Sequence, residues 1–336
     1  MKIGIAGAGA IGSFIGARLA LTGQVEVCAL ARGATLNALR QHGFRLQTKE
    51  GHCSAPVSAS DQAAELGVQD LLIIAVKGPA LPALAPSLRA MIGPQTLILP
   101  TMNGVPWWFC QVAGPSAPLP SFTPFALSSV DPQGLIGESL PLDQTLGCVV
   151  HLGASCPEPG LVRHAMGQEL IIGEITGGSS ERTQQLARLL TDAGLEIKQS
   201  PDIRYDIWYK LWGNLTMNPV SAITGATIDR LLADPLVRDF CTAAMSEAAA
   251  IGARIGCGVT QRPEDRHAIT FKLGAFKTSM LQDVEAGRAI ELDSIVGAAH
   301  EIGHRLGMQT PYIDAILGLT RLFARTHGLY PEAEKA

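Results

Sequence analysis

The chain of 336 residues is long enough for two domains, because a single core rarely serves more than about 250–300 residues. Apolar residues make up 47% of the sequence and charged residues 17%, which argues against disorder over most of its length. The formal net charge is −4 and no long lysine or arginine run occurs, so we expect neither nucleic acid nor a membrane surface as a partner.

The seven cysteines form an odd set without a Cys-x-x-Cys pair. This spacing fits neither a zinc site nor a disulfide framework, and we predict no metal. The uncharged N-terminal stretch covers only residues 3–17, fewer than the about 20 residues that span a bilayer. We therefore expect no export signal and a cytoplasmic protein.

A short apolar run at residues 3–6 leads directly into a Gly-x-Gly-x-x-Gly loop, and a helical pattern follows. In such a loop Gly7 permits a tight turn, Gly9 lets the backbone approach a pyrophosphate, and Gly12 lets the helix pack close to the strand. The helix N-terminus then offers unpaired N–H groups to the phosphates. The predicted cofactor-binding residues here are Gly7, Ala8, Gly9, Ala10, Ile11 and Gly12.

The next predicted strand, residues 25–31, bears on the choice of cofactor. NAD enzymes usually place a carboxylate near the end of this strand to bind the ribose 2′-hydroxyl. Here Arg32 follows the strand, and Glu26 lies several residues too early. A guanidinium suits a 2′-phosphate, so the sequence favours NADPH over NADH, with a solvated loop arginine as the alternative.

The alternation continues with strands at residues 70–76 and 96–99 around a helix at 81–91. Lys77 follows the first of these strands and Asn103 follows the second. Ligands of open α/β sheets bind at the carboxyl ends of the strands, so both residues are candidate cofactor contacts. An exposed loop lysine and a plain Asn-Gly turn are the structural alternatives.

The rest of the first half of the sequence shows both strand and helix patterns, and the second half is helical. Residues 114–141 suggest an irregular excursion; strands at 146–152, 170–175 and 195–198 and a helix at 183–193 follow, with a turn at 156–160. Strand character then disappears. We predict domains at residues 1–200 and 201–336.

The most informative helical segment places Lys210, Asn214 and Asn218 four residues apart, on one face. The intervening Leu211, Trp212, Leu215 and Met217 are apolar, so the three polar groups are costly there unless they meet partners or a ligand. Pro219 predicts a kink next to Asn218. A polar stripe at the boundary between two domains is the alternative.

A second cluster, around Ser279 and Glu291, taken alone fits ordinary surface charges.

Together these motifs resemble the ketopantoate reductase (2-dehydropantoate 2-reductase) family over residues 1–328. The motifs are the glycine loop, Ala31-Arg32-Gly33, Val76-Lys77, Asn103-Gly104, Lys210-x-x-x-Asn214-x-x-x-Asn218-Pro219, and residues 279–283 through Glu291. The resemblance implies an α/β Rossmann-type N-terminal domain and an all-α C-terminal domain similar to that of 6-phosphogluconate dehydrogenases. It also implies cytoplasmic NADPH-dependent reduction of 2-dehydropantoate to pantoate, toward coenzyme A.

The resemblance also implies residue roles. Lys210 matches the catalytic lysine and Glu291 its acidic partner. The other matched positions are Asn214, Asn218 and Ser279 for the substrate, and Arg32, Lys77 and Asn103 for the cofactor. A protonated lysine can donate to the carbonyl oxygen while the nicotinamide supplies hydride, so this chemistry needs no metal.

The segment after Asn103-Gly104 departs from the family pattern, because Trp107 and Trp108 replace a short polar stretch. The pair could reshape the substrate pocket, so two alternatives stay open. The chain could reduce another 2-keto acid or form a C–N bond on the same scaffold, or it could be a non-catalytic NADPH-binding protein. A homodimer is also left open.

Overall fold

The computed structural model describes residues 1–115 and 123–332, which form two compact units. Unit 1 combines residues 1–102 with 133–206, and unit 2 combines the described residues of 103–132 with those from 207 onward. No helix in the described ranges is long and apolar enough to cross a membrane. The predicted domain boundary at residue 200 stays a prediction.

Unit 1 is built on a five-stranded parallel sheet with the order β5-β2-β1-β6-β7. The strands of the unit are β1 (Lys2–Ala6), β2 (Glu26–Leu30), β3 (Phe44–Thr48), β4 (Gly51–Ala55), β5 (Ser58–Ser60), β6 (Gln69–Ile74), β7 (Ile92–Pro100), β8 (Leu146–Glu158), β9 (Leu161–Glu174) and β10 (Glu196–Gln199). Ile3 of β1 lies between Val27 and Leu71 in the sheet register. Such central strands are buried on both faces, which explains their unbroken apolar runs.

A second sheet joins β10, β9, β3 and β4 in that order, and β8 pairs with β9. The sequence interpretation missed β3 and β4, although Phe44 and Leu46 alternate with more exposed neighbours as a half-buried strand requires. The predicted turn at 156–160 is wrong for residues 156–158. Strand β8 continues through them, and the chain reverses at Pro159-Gly160, where Gly160 adopts a φ of +72°.

Helices complete unit 1 and make up the regular structure of unit 2. Unit 1 contains α1 (Ala10–Leu21), α2 (Gly33–His42), α3 (Ala63–Leu66), α4 (Leu81–Leu88), α5 (Leu135–Ser139) and α6 (Glu181–Asp192). The later helices are α7 (Ile203–Thr224), α8 (Ile228–Ala233), α9 (Pro235–Arg254), α10 (Pro263–Phe271), α11 (Ser279–Glu285), α12 (Ala298–Arg305) and α13 (Pro311–Thr326). A π-helical segment, Asp293–Gly297, leads into α12. The predicted α/β first part and helical second part are confirmed.

Helix α7 packs on α9 through two fully buried tryptophans. The indole N–H of Trp208 donates to the carbonyl of Ala248 at 3.2 Å, and that of Trp212 donates to the carbonyl of Met245 at 2.7 Å. A β-carbon on Gly252 of α9 would lie 2.3 Å from Nε1 of Trp208. Glycine is therefore required at 252 for the close approach of these two helices.

We expect Gly252→Ala to lower the free energy of unfolding by about 1–3 kcal/mol, because the methyl group overpacks a rigid indole. Denaturant unfolding followed by tryptophan fluorescence measures this change.

Gly318→Ala in α13 is the matched control, because a β-carbon there meets no atom within 4 Å. Alanine is the better helix former, so this variant should gain about 0.5–1 kcal/mol. Equal stability changes in the two variants would contradict the role given to Gly252.

Candidate active site

The glycine loop joins β1 to α1 in a turn that depends on Gly7. Gly7 has a φ of +100°, and its N–H donates to the carbonyl of Leu30 at 3.1 Å. A β-carbon on Gly12 would lie 2.1 Å from the carbonyl oxygen of Gly7, so this glycine is needed for packing. Gly9 differs, because a β-carbon there would meet no protein atom within 4 Å. The space over Gly9 is therefore free for a ligand.

A cavity of about 400 Å³ lies in unit 1 at the glycine loop. Its lining consists of Gly7, Ala8, Gly9, Leu30, Ala31, Arg32, Thr35, Asp61, Val76, Ala80, Ala83 and Leu84. Backbone amides, apolar side chains and a guanidinium suit a dinucleotide, with pyrophosphate at the N-terminus of α1. The residues present thus fit a nicotinamide cofactor at this cavity.

The cavity holds an acidic residue that the sequence interpretation missed. Asp61 follows the short edge strand β5, which pairs with the end of β2 just before Arg32. The pairing of β5 with β2 brings this carboxylate to the cavity. The sequence interpretation missed it because a strand of three residues gives little sequence signal. The cavity therefore carries both a cation and an anion.

The other predicted cofactor residues lie at the elements expected for them. Ala10, Ile11 and Gly12 form the first turn of α1. Lys77 is half-buried and precedes a short helical turn, Gly78–Ala80, beyond the end of β6. Asn103 belongs to unit 2.

Helix α7 carries the predicted reactive face. Lys210 and Asn214 are half-buried, whereas the Asn218 side chain is almost completely buried at 5% exposure. Nδ2 of Asn218 has no hydrogen-bond partner among the described residues. Helix α7 runs through Pro219 to Thr224, and the kink expected next to Asn218 stays a prediction.

Asn103 and Asn214 are brought together by the fold. Nδ2 of Asn214 donates to Oδ1 of Asn103 at 3.2 Å, and the Gly104 N–H donates to the same oxygen at 3.1 Å. Gly104 has a φ of +81°, and a β-carbon there would lie 2.5 Å from the carbonyl oxygen of Ser294. A residue predicted for the cofactor thus orients one predicted for the substrate.

The π-helical segment adds a further candidate residue, Ser294. Its carbonyl accepts from the Val105 N–H at 2.7 Å, and its own buried hydroxyl has no partner in the part of the chain described. π-Helical turns often occur at functional sites, and the sequence carries no signal for one. Next to it, burial raises the pKa of Asp293, against the opposing hydrogen bond from Tyr330 at 2.6 Å.

Glu291 and Ser279 lie in different surroundings. Glu291 is half-buried between buried Ile290 and Leu292, directly before the helical turn that becomes the π segment. Ser279 begins α11 and is exposed, while Thr278 caps that helix by accepting from the Leu281 N–H. The position of Ser279 is fixed because its neighbours Thr278, Met280 and Leu281 are buried.

The two tryptophans that depart from the family pattern do not form an exposed pocket wall. Trp107 and Trp108 are 1% and 0% exposed. The ring of Phe109 lies 6.2 Å from that of Trp108 and 6.0 Å from that of Trp208. The pair therefore belongs to the core of unit 2, and its effect on the substrate pocket stays a prediction.

Two family models match the chain. "Ketopantoate reductase PanE/ApbA" covers residues 3–106, and "Ketopantoate reductase PanE/ApbA C terminal" covers residues 202–324. These ranges contain the glycine loop, Arg32, Lys77 and Asn103 in the first, and Lys210 through Glu291 in the second. Both halves of the predicted site thus fall within family models.

Whole-chain relatives agree with these models. The 2-dehydropantoate 2-reductase of Mesorhizobium japonicum is 39% identical over 98% of this chain and 100% of its own. A crystal structure from Ralstonia solanacearum MolK2, described provisionally as a ketopantoate reductase, is 50% identical with a TM-score of 0.92 over 98% and 99% of the chains. A D-mandelate dehydrogenase with NADH and anilino(oxo)acetate, 22% identical over 98% and 100%, shares the fold with a TM-score of 0.82. This chain belongs to the ketopantoate reductase family of oxidoreductases.

Proposed function

We propose that the chain reduces 2-dehydropantoate to pantoate with NADPH, in the cytoplasm, as a step toward coenzyme A. The relative from Mesorhizobium japonicum, which matches over its full length, supports the substrate. The buried amide of Asn218 carries the proposal from the structure. An unpaired amide N–H group in a core costs about 1–3 kcal/mol, so its presence is explained by a polar ligand that accepts from it.

The bound nicotinamide supplies hydride to the keto carbon, and the protein must provide the proton and hold the acid. Lys210 is the proposed donor to the carbonyl oxygen, with Glu291 as its acidic partner. Asn218 donates to the substrate, and Asn214 is oriented for the same task by Asn103. Ser279, exposed at the start of α11, is the proposed contact for the carboxylate.

The choice of NADPH follows from the charge at the cavity. The guanidinium of Arg32 can bind a 2′-phosphate through paired hydrogen bonds, whereas the carboxylate of Asp61 repels it. We therefore expect Arg32 to favour NADPH and Asp61 to oppose that preference in part. A homodimer and the domain division at residue 200 stay predictions.

A panel of 2-keto acids tests the substrate. With NADPH, we expect 2-dehydropantoate to give the highest kcat/KM, because the site is built to hydrogen-bond a hydroxyl-bearing acid. A higher value for an aromatic keto acid would instead assign the chain to another reductase on this scaffold. Turnover that requires an amine would indicate C–N bond formation, and no turnover with any acid would favour a binding protein.

Gly9→Ala should weaken NADPH binding by at least about tenfold, or about 1.4 kcal/mol, while leaving the melting temperature unchanged. Its added methyl group occupies space that no protein atom uses. The control is Gly12→Ala, which should lower the melting temperature because its methyl group meets the Gly7 carbonyl at 2.1 Å. Cofactor titration and thermal unfolding of both variants measure this contrast. Full affinity in Gly9→Ala would place the pyrophosphate elsewhere.

Arg32→Ala should weaken NADPH binding by about ten- to a hundredfold, the effect of losing a charge-assisted contact, and change NADH binding little. Asp61→Asn should act in the opposite direction and strengthen NADPH binding. Fluorescence titrations of both cofactors measure these changes. Equal losses for NADPH and NADH in Arg32→Ala would show that Arg32 does not contact the 2′-phosphate.

Lys210→Ala should lower kcat by about 10²–10⁴, as expected for losing a general acid. NADPH affinity should persist, because the cavity at the glycine loop lies wholly in unit 1. Single-turnover hydride transfer with saturating cofactor is the measurement, and Lys272→Ala, which removes an exposed lysine, is the control. A rate within about threefold of the parent leaves less than about 1 kcal/mol to Lys210 and makes it structural.

A further inference from the structure

A cluster of two histidines and an aspartate lies in unit 2 outside the proposed reductase site. His300 and His304 occupy α12, and Asp314 lies in the first turn of α13. One ligand atom from each residue lies within 4.8 Å of the other two. The prediction of no metal considered the cysteines and overlooked these histidines.

The sequence at 300–304 is His-Glu-Ile-Gly-His, the His-Glu-x-x-His spacing of helical zinc sites. Residues four apart on a helix share a face, which is why this spacing brings two imidazoles to one ion. The rings of His300 and His304 lie with centroids 4.1 Å apart. The motif is therefore formed in three dimensions as well as in sequence.

Both imidazoles and a hydroxyl converge on one carboxylate oxygen. Oδ1 of Asp314 lies 2.9 Å from Nδ1 of His300 and 3.3 Å from Nε2 of His304, and the Thr310 hydroxyl donates to it at 2.8 Å. Ligand atoms of a tetrahedral zinc ion, with bonds of about 2.0–2.1 Å, are about 3.3 Å apart. The two nitrogen–oxygen distances, 2.9 and 3.3 Å, are close to this value, and all three ligand atoms lie within 4.8 Å of one another.

We propose that His300, His304 and Asp314 bind one divalent transition-metal ion, which braces α12 against α13. Imidazole and carboxylate ligands suit zinc and its neighbours in the first transition row. The side chains are 34%, 52% and 41% exposed, so the ion can enter from solvent and keep water at its remaining position. The Thr310 hydroxyl orients the carboxylate from behind, as outer partners of metal ligands do.

The glutamate of the motif is not available as a hydrolytic base. Oε1 of Glu301 accepts from the Ser128 N–H and from Nε of Arg305, and Oε2 accepts from the Ser129 N–H at 2.8 Å. Glu301 thus holds the segment at Ser128-Ser129 on α12. The site binds an ion and does not hydrolyse peptides.

Zinc titration of the full chain by calorimetry, after removal of metals by a chelator, tests the proposal. The parent for this test carries Cys53→Ser and Cys156→Ser, because these two exposed thiols would also bind zinc. We expect one ion per chain and a melting temperature that rises with zinc concentration. His304→Ala and Asp314→Asn should each lower the affinity at least tenfold and remove the thermal shift.

His327→Ala is the matched control, because His327 is an exposed histidine at the end of α13 and should leave zinc binding unchanged. Absence of saturable zinc binding, or equal binding in the parent and His304→Ala, overturns the proposal and leaves a hydrogen-bonded cluster. Zinc-dependent peptide hydrolysis that Glu301→Gln abolishes would overturn the bracing role. None of these measurements uses the reductase activity, so they are independent of the proposed function.

Discussion

The packing of α7 on α9 is the constraint on which the candidate site depends. Trp208 and Trp212 satisfy their indole N–H groups on carbonyls of α9, and Gly252 lets the two helices approach closely enough for this. These contacts fix the rotation of α7 about its axis. Since side chains four residues apart share a face, fixing the tryptophans also fixes where Lys210, Asn214 and Asn218 point. An error in this packing would turn the reactive face away from its ligand.

The polar groups near α7 are organised in two ways. Asn214 already has a protein partner, because Asn103 accepts from it and is itself held by the turn at Gly104 against Ser294. Asn218 and Ser294 instead keep buried polar atoms without partners among the described residues. Buried polar groups are nearly always satisfied in native proteins, so each such exception calls for an explanation. The proposed substrate would supply one for Asn218 and Ser294, whereas Asn214 is already held by Asn103.

The sequence was sufficient where a local pattern determines the structure. The glycine loop requires a strand before it and a helix after it, and Arg32 could be placed because it follows the second strand of that unit. The Lys210 face followed from helical spacing alone. Asp61, Ser294 and the Asn103–Asn214 hydrogen bond could not be predicted, because each depends on contacts between segments far apart in sequence. The missed strands β3 and β4 are short and pair with each other, and β3 also pairs with β9, which is distant in the chain.

Two kinds of group determine which acid a reductase accepts: hydrogen-bonding groups and apolar walls. A group that hydrogen-bonds the substrate, the role proposed for Asn218, discriminates strongly, because an acid without the matching polar atom leaves a buried group unpaired. Apolar walls discriminate weakly, at about 10–200-fold for a methylene group, and they set which side chain of a keto acid fits. The chain departs from the family pattern at Trp107 and Trp108, which lie in the core beside Phe109. Phe109 in turn lies 6.0 Å from Trp208 of α7, so the volume of the pair bears on the position of the helix that carries Lys210, Asn214 and Asn218.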